Sequence, residues 1–424
     1  MMEYSKYRDS GIPWIGKIPA HWNILRGKNI LMLLERPVQE GDDIITCFRD
    51  GEVTLRKNRR EEGFTVSMKE IGYQGVEPGD LVVHGMDGFA GAIGVSDSRG
   101  KATPVLNVMD SKENKRYLMY YLRAAAYKDV FMSLSTGIRV RSCDLRWNKL
   151  SVFPFLIPDI NEQDSIVTYI DSQIKRVDDI ISKAKASIEE YKSWKASIIY
   201  EAVTKGLDPN VEMKDSGVEW IGKIPSRWKL VRMKNLISFM PKCDYSLCKN
   251  DTLVTFTPME CIRTGTFENR SRPYGDIDGS YTQYAEGDIV LAKVTPCFEN
   301  GNVCIMSGLY SGVGFGSSEL FVLRPQKVLD RFLLYFLQHN GFKDAACSTM
   351  TGTGGLKRVS SSFIQNCYVP YPDMDIQKKI ADYLDRKCSA IQFLICEKES
   401  LIADLEAYKK SLIFEVVTGK RRVV

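Results

Sequence analysis

Ser10-Gly11-Ile12-Pro13-Trp14-Ile15-Gly16-Lys17-Ile18-Pro19-Ala20-His21-Trp22 occurs twice in this chain, the second time as Ser216-Gly217-Val218-Glu219-Trp220-Ile221-Gly222-Lys223-Ile224-Pro225-Ser226-Arg227-Trp228. Extended to Ile30 and Leu236, twelve of twenty-one positions are identical, at an offset of 206 residues. Unrelated segments of that length would share about one position, so the halves are copies. A second anchor closes each copy: Pro158-Asp159-Ile160-Asn161-Glu162-Gln163 matches Pro372-Asp373-Met374-Asp375-Ile376-Gln377, and Ser197 to Thr204 matches Ser411 to Thr418. Between the anchors the halves diverge almost everywhere, apart from Gly79-Asp80-Leu81-Val82-Val83 and Gly287-Asp288-Ile289-Val290-Leu291. A period of about 210 residues is far longer than the 20 to 50 of solenoids and propellers, so a whole domain is duplicated. Divergence concentrated between constant anchors implies one frame carrying two different ligand specificities. A duplication without functional consequence is the alternative.

The closing anchor of each copy opens a long helix. In the first, apolar positions run Ile166, Ile170, Ile174, Val177, Ile181, Ala184, Ile188, Tyr191, Ile198 and Ala202, which are heptad steps. In the second, Ile380, Leu384, Cys388, Ile391, Ile395, Ile402, Leu405, Leu412 and Val416 keep the same phase, interrupted by Lys398 and Lys409. About 43 residues make a rod of roughly 64 Å, too long and one-sided to pack on its own domain alone. The expected partner is the other copy's helix, running antiparallel, with Ile170, Ile174, Val177, Ile181 and Ile188 facing Leu384, Ile391, Ile395, Ile402 and Leu405. A coiled-coil dimer with a second chain is the other possibility. Asn161 and Asp375 are the expected N-caps.

The segments between anchors read as strands and short helices. Asp80 to Val83, Ala92 to Val95 and Asp288 to Leu291 are strand-like, while Lys115 to Leu122 and Asp330 to Leu337 read as amphipathic helices at matching places. The expected fold class is α+β: two α+β domains in tandem duplication, with two long helices forming an antiparallel coiled coil. The boundaries fall at 1–156, 157–208, 209–370 and 371–424.

Composition narrows the function. The chain has 424 residues, 44% hydrophobic and 26% charged, as in an ordinary globular protein. Its 58 Lys+Arg against 53 Asp+Glu leave only +5, so any nucleic acid must be held by local charge. No apolar run approaches the ~20 residues of a membrane helix, and Met1 to Asp9 carries no secretory pattern, so a cytoplasmic location is expected. The 11 cysteines include no Cys-x-x-Cys pair and suit reduced thiols. His21, His84 and His339 lie far apart without metal-ligand spacing. Thr351 to Arg358 is glycine-rich, but every Gly-Lys in the chain lacks the Ser or Thr of a phosphate loop. No catalytic residue and no metal site is expected.

Basic residues cluster inside the divergent segments: Arg56, Lys57, Arg59 and Arg60; Arg139, Arg141 and Arg146; Arg263, Arg270 and Arg272; Lys293; Lys357 and Arg358. These are the candidates for contacting DNA phosphates or guanine edges, although a charge cluster is often only a solvated face. Gly137 to Arg141 and Gly352 to Arg358 occupy the same place before the closing anchor, where glycine lets backbone approach a phosphate.

In the order of its parts the chain resembles the specificity (S) subunit of Type I restriction-modification systems. The carriers are the two Trp-Ile-Gly-Lys-Ile-Pro repeats, Gly79-Asp80 and Gly287-Asp288, and the Pro-Asp-to-Gln entries into two heptad helices. The second entry lacks the Glu that commonly precedes this Gln. The resemblance implies one target-recognition domain per half, each reading one part of a bipartite double-stranded DNA site, with the helices as spacer. It implies two methyltransferase (M) subunits docked on the helices, which carry S-adenosylmethionine and methylate adenine, and two motor-nuclease (R) subunits. The chain itself would then be non-catalytic and bind no cofactor. The rival readings are a coiled-coil scaffold for proteins alone and a self-contained DNA-modifying enzyme.

Overall fold

Each Trp repeat folds as a small two-stranded ribbon that seeds the core of its own copy. In the first, β1 (Tyr7–Asp9) pairs antiparallel with β2 (Lys17–Pro19). The Asp9 carboxylate accepts the Gly11 N–H at 2.9 Å and so closes the turn. The ribbon delivers Ile18 and Trp22 into the interior, both essentially inaccessible. This is the structure of a computed structural model describing residues 4–59, 70–133, 145–352 and 355–423. The chain divides into two units, Met1–Ala184 with Glu399–Val424, and Lys185–Lys398.

In the first unit β3 (Asn23–Arg26) leads to β4 (Met32–Leu33), β5 (Ile45–Cys47), β6 (Val53–Leu55), β7 (Gln74–Val76), β8 (Leu81–His84), β9 (Ile93–Val95), β10 (Gly100–Ala102) and β11 (Leu106–Asp110). Three helices follow: α1 (Lys115–Tyr127), α2 (Val130–Ser133) and α3 (Trp147–Leu150), then β12 (Pro154–Ile157) and the long α4 (Ile160–Lys205). The central sheet has the order β4-β11-β8-β9. Helix α1 starts where the Asn114 side chain accepts the N–H groups of Arg116 and Tyr117. It buries Tyr117, Tyr121 and Leu122 beneath the sheet in one apolar cluster with Ile18, Trp22 and Phe155.

The second unit repeats this element by element: β13 (Met213–Asp215), β14 (Lys223–Pro225), β15 (Lys229–Arg232), β16 (Ile237–Phe239), β17 (Leu253–Thr257), β18 (Arg270–Pro273), β19 (Thr282–Ala285), β20 (Ile289–Ala292), β21 (Val303–Ile305), β22 (Val313–Gly316) and β23 (Leu320–Pro325). Then come α5 (Asp330–Gln338), α6 (Asn340–Cys347), α7 (Ser361–Asn366), β24 (Tyr368–Tyr371) and α8 (Met374–Val417). Its central sheet, β16-β23-β20-β21, has the order of the first.

The divergent segments turn out to share a topology as well. In the second unit they form the sheet β18-β17-β22-β19, with β17 and β22 parallel. In the first unit β5 pairs with β6 and β7 with β10, and a parallel bridge between Ile44 and Lys101 joins the two ribbons in the same order. Sequence divergence here hides a conserved pairing scheme.

The two long helices are continuous over 46 and 44 residues. Within the first unit, Ile166 and Ile170 near the start of α4 share a core with Leu412, Ile413 and Val416 near the end of α8. Lys409 donates to Asp178 at 2.7 Å one level further on, so the helices run antiparallel there. Within the second unit, Lys195 meets Gln392 at 3.2 Å while Ile198 and Ala202 share a cavity with Tyr383, again antiparallel. The expected seam is buried at Ile170, Val177, Ile181, Ile188, Leu384, Ile391 and Ile395, and half-buried at Ile174, Ile402 and Leu405. Lys409, which interrupts the seam, is held by Asp178 and Glu406.

The expected N-caps require a correction. Helices α4 and α8 begin one residue earlier than Asn161 and Asp375, which therefore sit in the first turn. The preceding aspartates close the ends: the Asp159 carboxylate accepts the Asn161 N–H at 3.0 Å, and the Asp373 carbonyl accepts the Ile376 and Gln377 N–H groups at 3.0 Å. Asp159 and Asp373, not Asn161 and Asp375, therefore hold the position just before each helix.

Candidate nucleic-acid interface

Gly79-Asp80 and Gly287-Asp288 explain how each central sheet is built. Glu77-Pro78-Gly79-Asp80 and Ala285-Glu286-Gly287-Asp288 are tight turns whose third residue lies at φ +90° and +81°, conformations that favour glycine. The aspartate then accepts the N–H of the first turn residue, Glu77 at 2.8 Å or Ala285 at 2.7 Å. Asp80 and Asp288 are buried, and each is neutralised by an arginine. Arg36, just past β4, pairs with Asp80 through both terminal nitrogens. Arg324, on β23, grips Asp288 through Nε at 2.7 Å and Nη2 at 2.8 Å. That hydrogen bonding raises the pKa of both guanidinium groups. The two copies thus solve one electrostatic problem from different places, the segment after β4 in one and β23 in the other.

The glutamine of each helix entry is buried and staples the long helix to its own domain. Gln163 accepts the Asn114 N–H at 3.0 Å and donates to the Pro158 carbonyl at 3.0 Å. Gln377 accepts the Leu329 N–H at 2.9 Å and donates to the Pro372 carbonyl at 2.8 Å. The Glu absent from the second entry also finds an explanation. Glu162 accepts from the Tyr4 hydroxyl at 2.7 Å and meets His21 at 3.0 Å, and the repeat places Asn210, Arg227 and Ile376 at these three positions. The polar cluster is replaced as a whole.

On this frame the basic candidates fall into two equivalent places. One is the hairpin of the divergent sheet. Lys57 pairs with Asp43 at 2.5 Å, Arg56 donates to Thr46, and Arg59 lies 4.2 Å over the Phe48 ring while reaching Asp50 at 2.8 Å. In the second unit the corresponding hairpin carries Arg270, bidentate to Glu268 at 2.8 Å, and Arg272, 4.1 Å over Phe256, whose ring meets Tyr281 edge-on at 5.1 Å. Arg263 lies exposed close by in sequence. An arginine stacked on an aromatic ring beside a paired one is a surface suited to phosphates and base edges.

The other place is the segment before α3 and α7. Leu145 donates its N–H to Gly85, and Val359 donates to Lys293, so the two segments leave the central sheet at the same point. In the second unit this gathers Lys293, Lys357 and Arg358. Arg358 is bidentate to Glu319 at 2.7 and 3.0 Å, Lys293 lies 3.7 Å from the same carboxylate, and Lys357 is exposed. The Arg358 guanidinium holds Glu319 below the usual carboxylate range. In the first unit Arg146 is exposed, while Arg60, Arg139 and Arg141 lie outside the described residues, as does Gly137.

Among the described residues no His, Cys, Asp and Glu cluster could hold a metal. The described cysteines are all free, and burial pushes the Cys47, Cys304 and Cys367 thiols up to about 12. No described helix is long and apolar enough to cross a membrane. Sequence reasoning missed the Arg36 and Arg324 partners and the stapling role of the two buried glutamines. The glutamines carried a signal, their recurrence in both copies. The arginines carried none, because one follows β4 and the other lies on β23, places that are not equivalent in the two copies.

Residues 225–398 match the family model of the Type I restriction modification DNA specificity domain. The chain is 33% identical to the Type I restriction enzyme EcoAI specificity subunit of Escherichia coli over 44% of its own length, and spans 32% of that relative. It is 25% identical to the MjaVIII specificity subunit of Methanocaldococcus jannaschii over 76% of each chain. In fold it is similar, at a TM-score of 0.71, 12% identity and coverage of 94% and 98%, to a chain from a structure of complex assembly and conformational transition of the type I R-M system.

Proposed function

We propose that this chain, which carries a Type I restriction-modification DNA specificity domain, is the sequence-reading subunit of such a system, each unit recognising one part of a bipartite double-stranded target. The observation that carries this reading is the pairing scheme repeated strand for strand in both units, bearing different basic and aromatic side chains on equivalent hairpins. A shared scaffold with different readout residues is what two specificities on one frame require. Arg59 is paired to Asp50, Arg270 to Glu268 and Arg358 to Glu319, so phosphates would displace these carboxylates, and binding should be steeply salt-dependent.

On this reading the chain is non-catalytic and cytoplasmic. Two methyltransferase subunits carrying S-adenosylmethionine dock on the long helices, and two motor-nuclease subunits can join. Apolar side chains left exposed there, Ile180, Leu401 and Tyr408 in the first unit and Trp194, Phe393 and Leu394 in the second, support docking of protein partners. Coexpression with the methyltransferase subunit and mapping of modified adenines tests the proposal. A single split motif is expected, and replacing residues 20–150 should alter one half-site only. Unmodified DNA from an otherwise active complex, or a change in both half-sites, overturns it.

A further inference from the structure

The two units differ where each long helix ends, and the difference leaves a cavity in the second. In the first unit Gly419 turns the chain at φ +69°, with the Trp22 ring 3.3 Å from where a Cβ would stand. Lys420 and Arg421 then donate their N–H groups to the Glu415 carbonyl, and the Lys420 ammonium reaches the Lys17 carbonyl at 2.6 Å. The Arg421 guanidinium lies 5.6 Å over the Tyr169 ring, Arg422 lies 5.9 Å over Tyr4, and Val423 packs on the apolar core.

The second unit begins the same turn. Gly206 lies at φ +80° against Trp228, and Tyr383 stands where the first copy has Tyr169. The chain then reads Leu207-Asp208-Pro209-Asn210 in place of Lys420-Arg421-Arg422-Val423. Tyr383 instead lines an open cavity of about 500 Å³ with Ile198, Ala202, Glu201 and Asp208. A neighbouring cavity of about 250 Å³, walled by Leu207, Trp228 and Ile376, occupies the side where the first copy has the Glu162 cluster.

Charge is inverted along with volume. Asp208 is the second residue after the turn glycine, where the first copy has Arg421, Glu201 adds a second carboxylate, and Lys205, also in the wall, has its ammonium over the Tyr200 ring at 5.6 Å. We propose that this pocket of the second unit docks an arginine-bearing, aliphatic peptide segment of a partner protein, in the way the first unit seats its own residues 420–423. The guanidinium stacks on Tyr383 between the two carboxylates, and the aliphatic side chains enter the apolar cavity beside Ile376. The inference goes beyond DNA recognition and does not depend on it.

The test uses the full chain, without DNA, and a labelled peptide Thr-Gly-Lys-Arg-Arg-Val as probe, followed by fluorescence anisotropy. Saturable binding of one equivalent is expected. Tyr383→Ala should weaken it at least about tenfold, the loss of roughly one cation–π and stacking contact, while Tyr383→Phe retains it. Asp208→Arg, at an exposed position, should abolish binding by filling the pocket from within. A chain shortened after Gly419 should bind a second equivalent, because its first-unit site is vacated. Absence of saturable binding, equal binding of a probe with both arginines replaced by alanine, or indifference to Tyr383→Ala and Asp208→Arg would each overturn the proposal.

Discussion

Arg324→Ala tests the electrostatic frame of the second unit. Asp288 has no side-chain exposure, and its carboxylate makes three hydrogen bonds, two of them to Arg324 and one to the Ala285 N–H. Removing the guanidinium leaves a buried anion with a single amide donor. Breaking a fully buried pair costs about 3–5 kcal/mol. Arg324 is 34% exposed, so water entering from that side recovers part of the loss, and about 2–3 kcal/mol is expected. With a urea slope of about 2 kcal/mol per molar, the midpoint should fall by roughly 1–1.5 M. Urea unfolding followed by circular dichroism measures this, with Arg270→Ala as the control, since that ion pair lies at the surface and should leave the midpoint unchanged. Joint replacement of Asp288 and Arg324 by leucine should regain most of the lost stability, because no unpaired charge is then buried. An Arg324→Ala midpoint indistinguishable from that of Arg270→Ala would falsify the assignment of Arg324 as the counter-charge that the Gly-Asp turn requires.

Two further outcomes follow from buried polar groups. His339 is wholly buried among Trp220, Phe336 and Phe342, its Nδ1 accepting the Phe342 N–H, and burial pushes its pKa down to about 3. The unfolded chain therefore binds a proton that the folded one refuses between about pH 6.5 and 3, so stability falls as pH drops through that window, by about 1 kcal/mol per pH unit below pH 6. His339→Asn, which keeps a capping side chain, should flatten this slope in unfolding curves taken from pH 7 to 5; an unchanged slope would show that other groups set it. Gln377→Ala removes the acceptor of the Leu329 N–H and the donor to Pro372, and should cost about 2 kcal/mol in urea unfolding while leaving far-UV helicity intact.

Much of the frame was legible because its anchor residues serve the backbone. Gly79 and Gly287 turn it at positive φ, Asp159 and Asp373 close helix ends, and Gln163 and Gln377 saturate buried amides, so both copies retain the motif while the surroundings drift. The helix seam was legible for a different reason: a heptad repeat sustained over dozens of residues is a strong periodic signal. Strands such as Ile45–Cys47 and Val303–Ile305 span three residues, too few for an alternation of period two to register. The candidate interface was legible as charge clusters only. That Arg59 and Arg272 stack on Phe48 and Phe256, and that Lys293 and Arg358 share Glu319, depends on contacts between elements distant in sequence.

A duplicated frame, two long heptad helices, two divergent segments, and basic residues clustered locally against a net charge of only +5 could all be read along the chain. That the divergent segments are themselves one topology built twice, that each buried aspartate draws its arginine from a different place in the fold, and that a pocket lies open in one copy where the other is filled became visible only in three dimensions. The physical reason is the same in each case. Strand pairing and charge compensation require only that some residue supply a backbone partner or an opposite charge at a point in space, so evolution can change which residue does so, and from which strand, without leaving a recurring pattern along the chain.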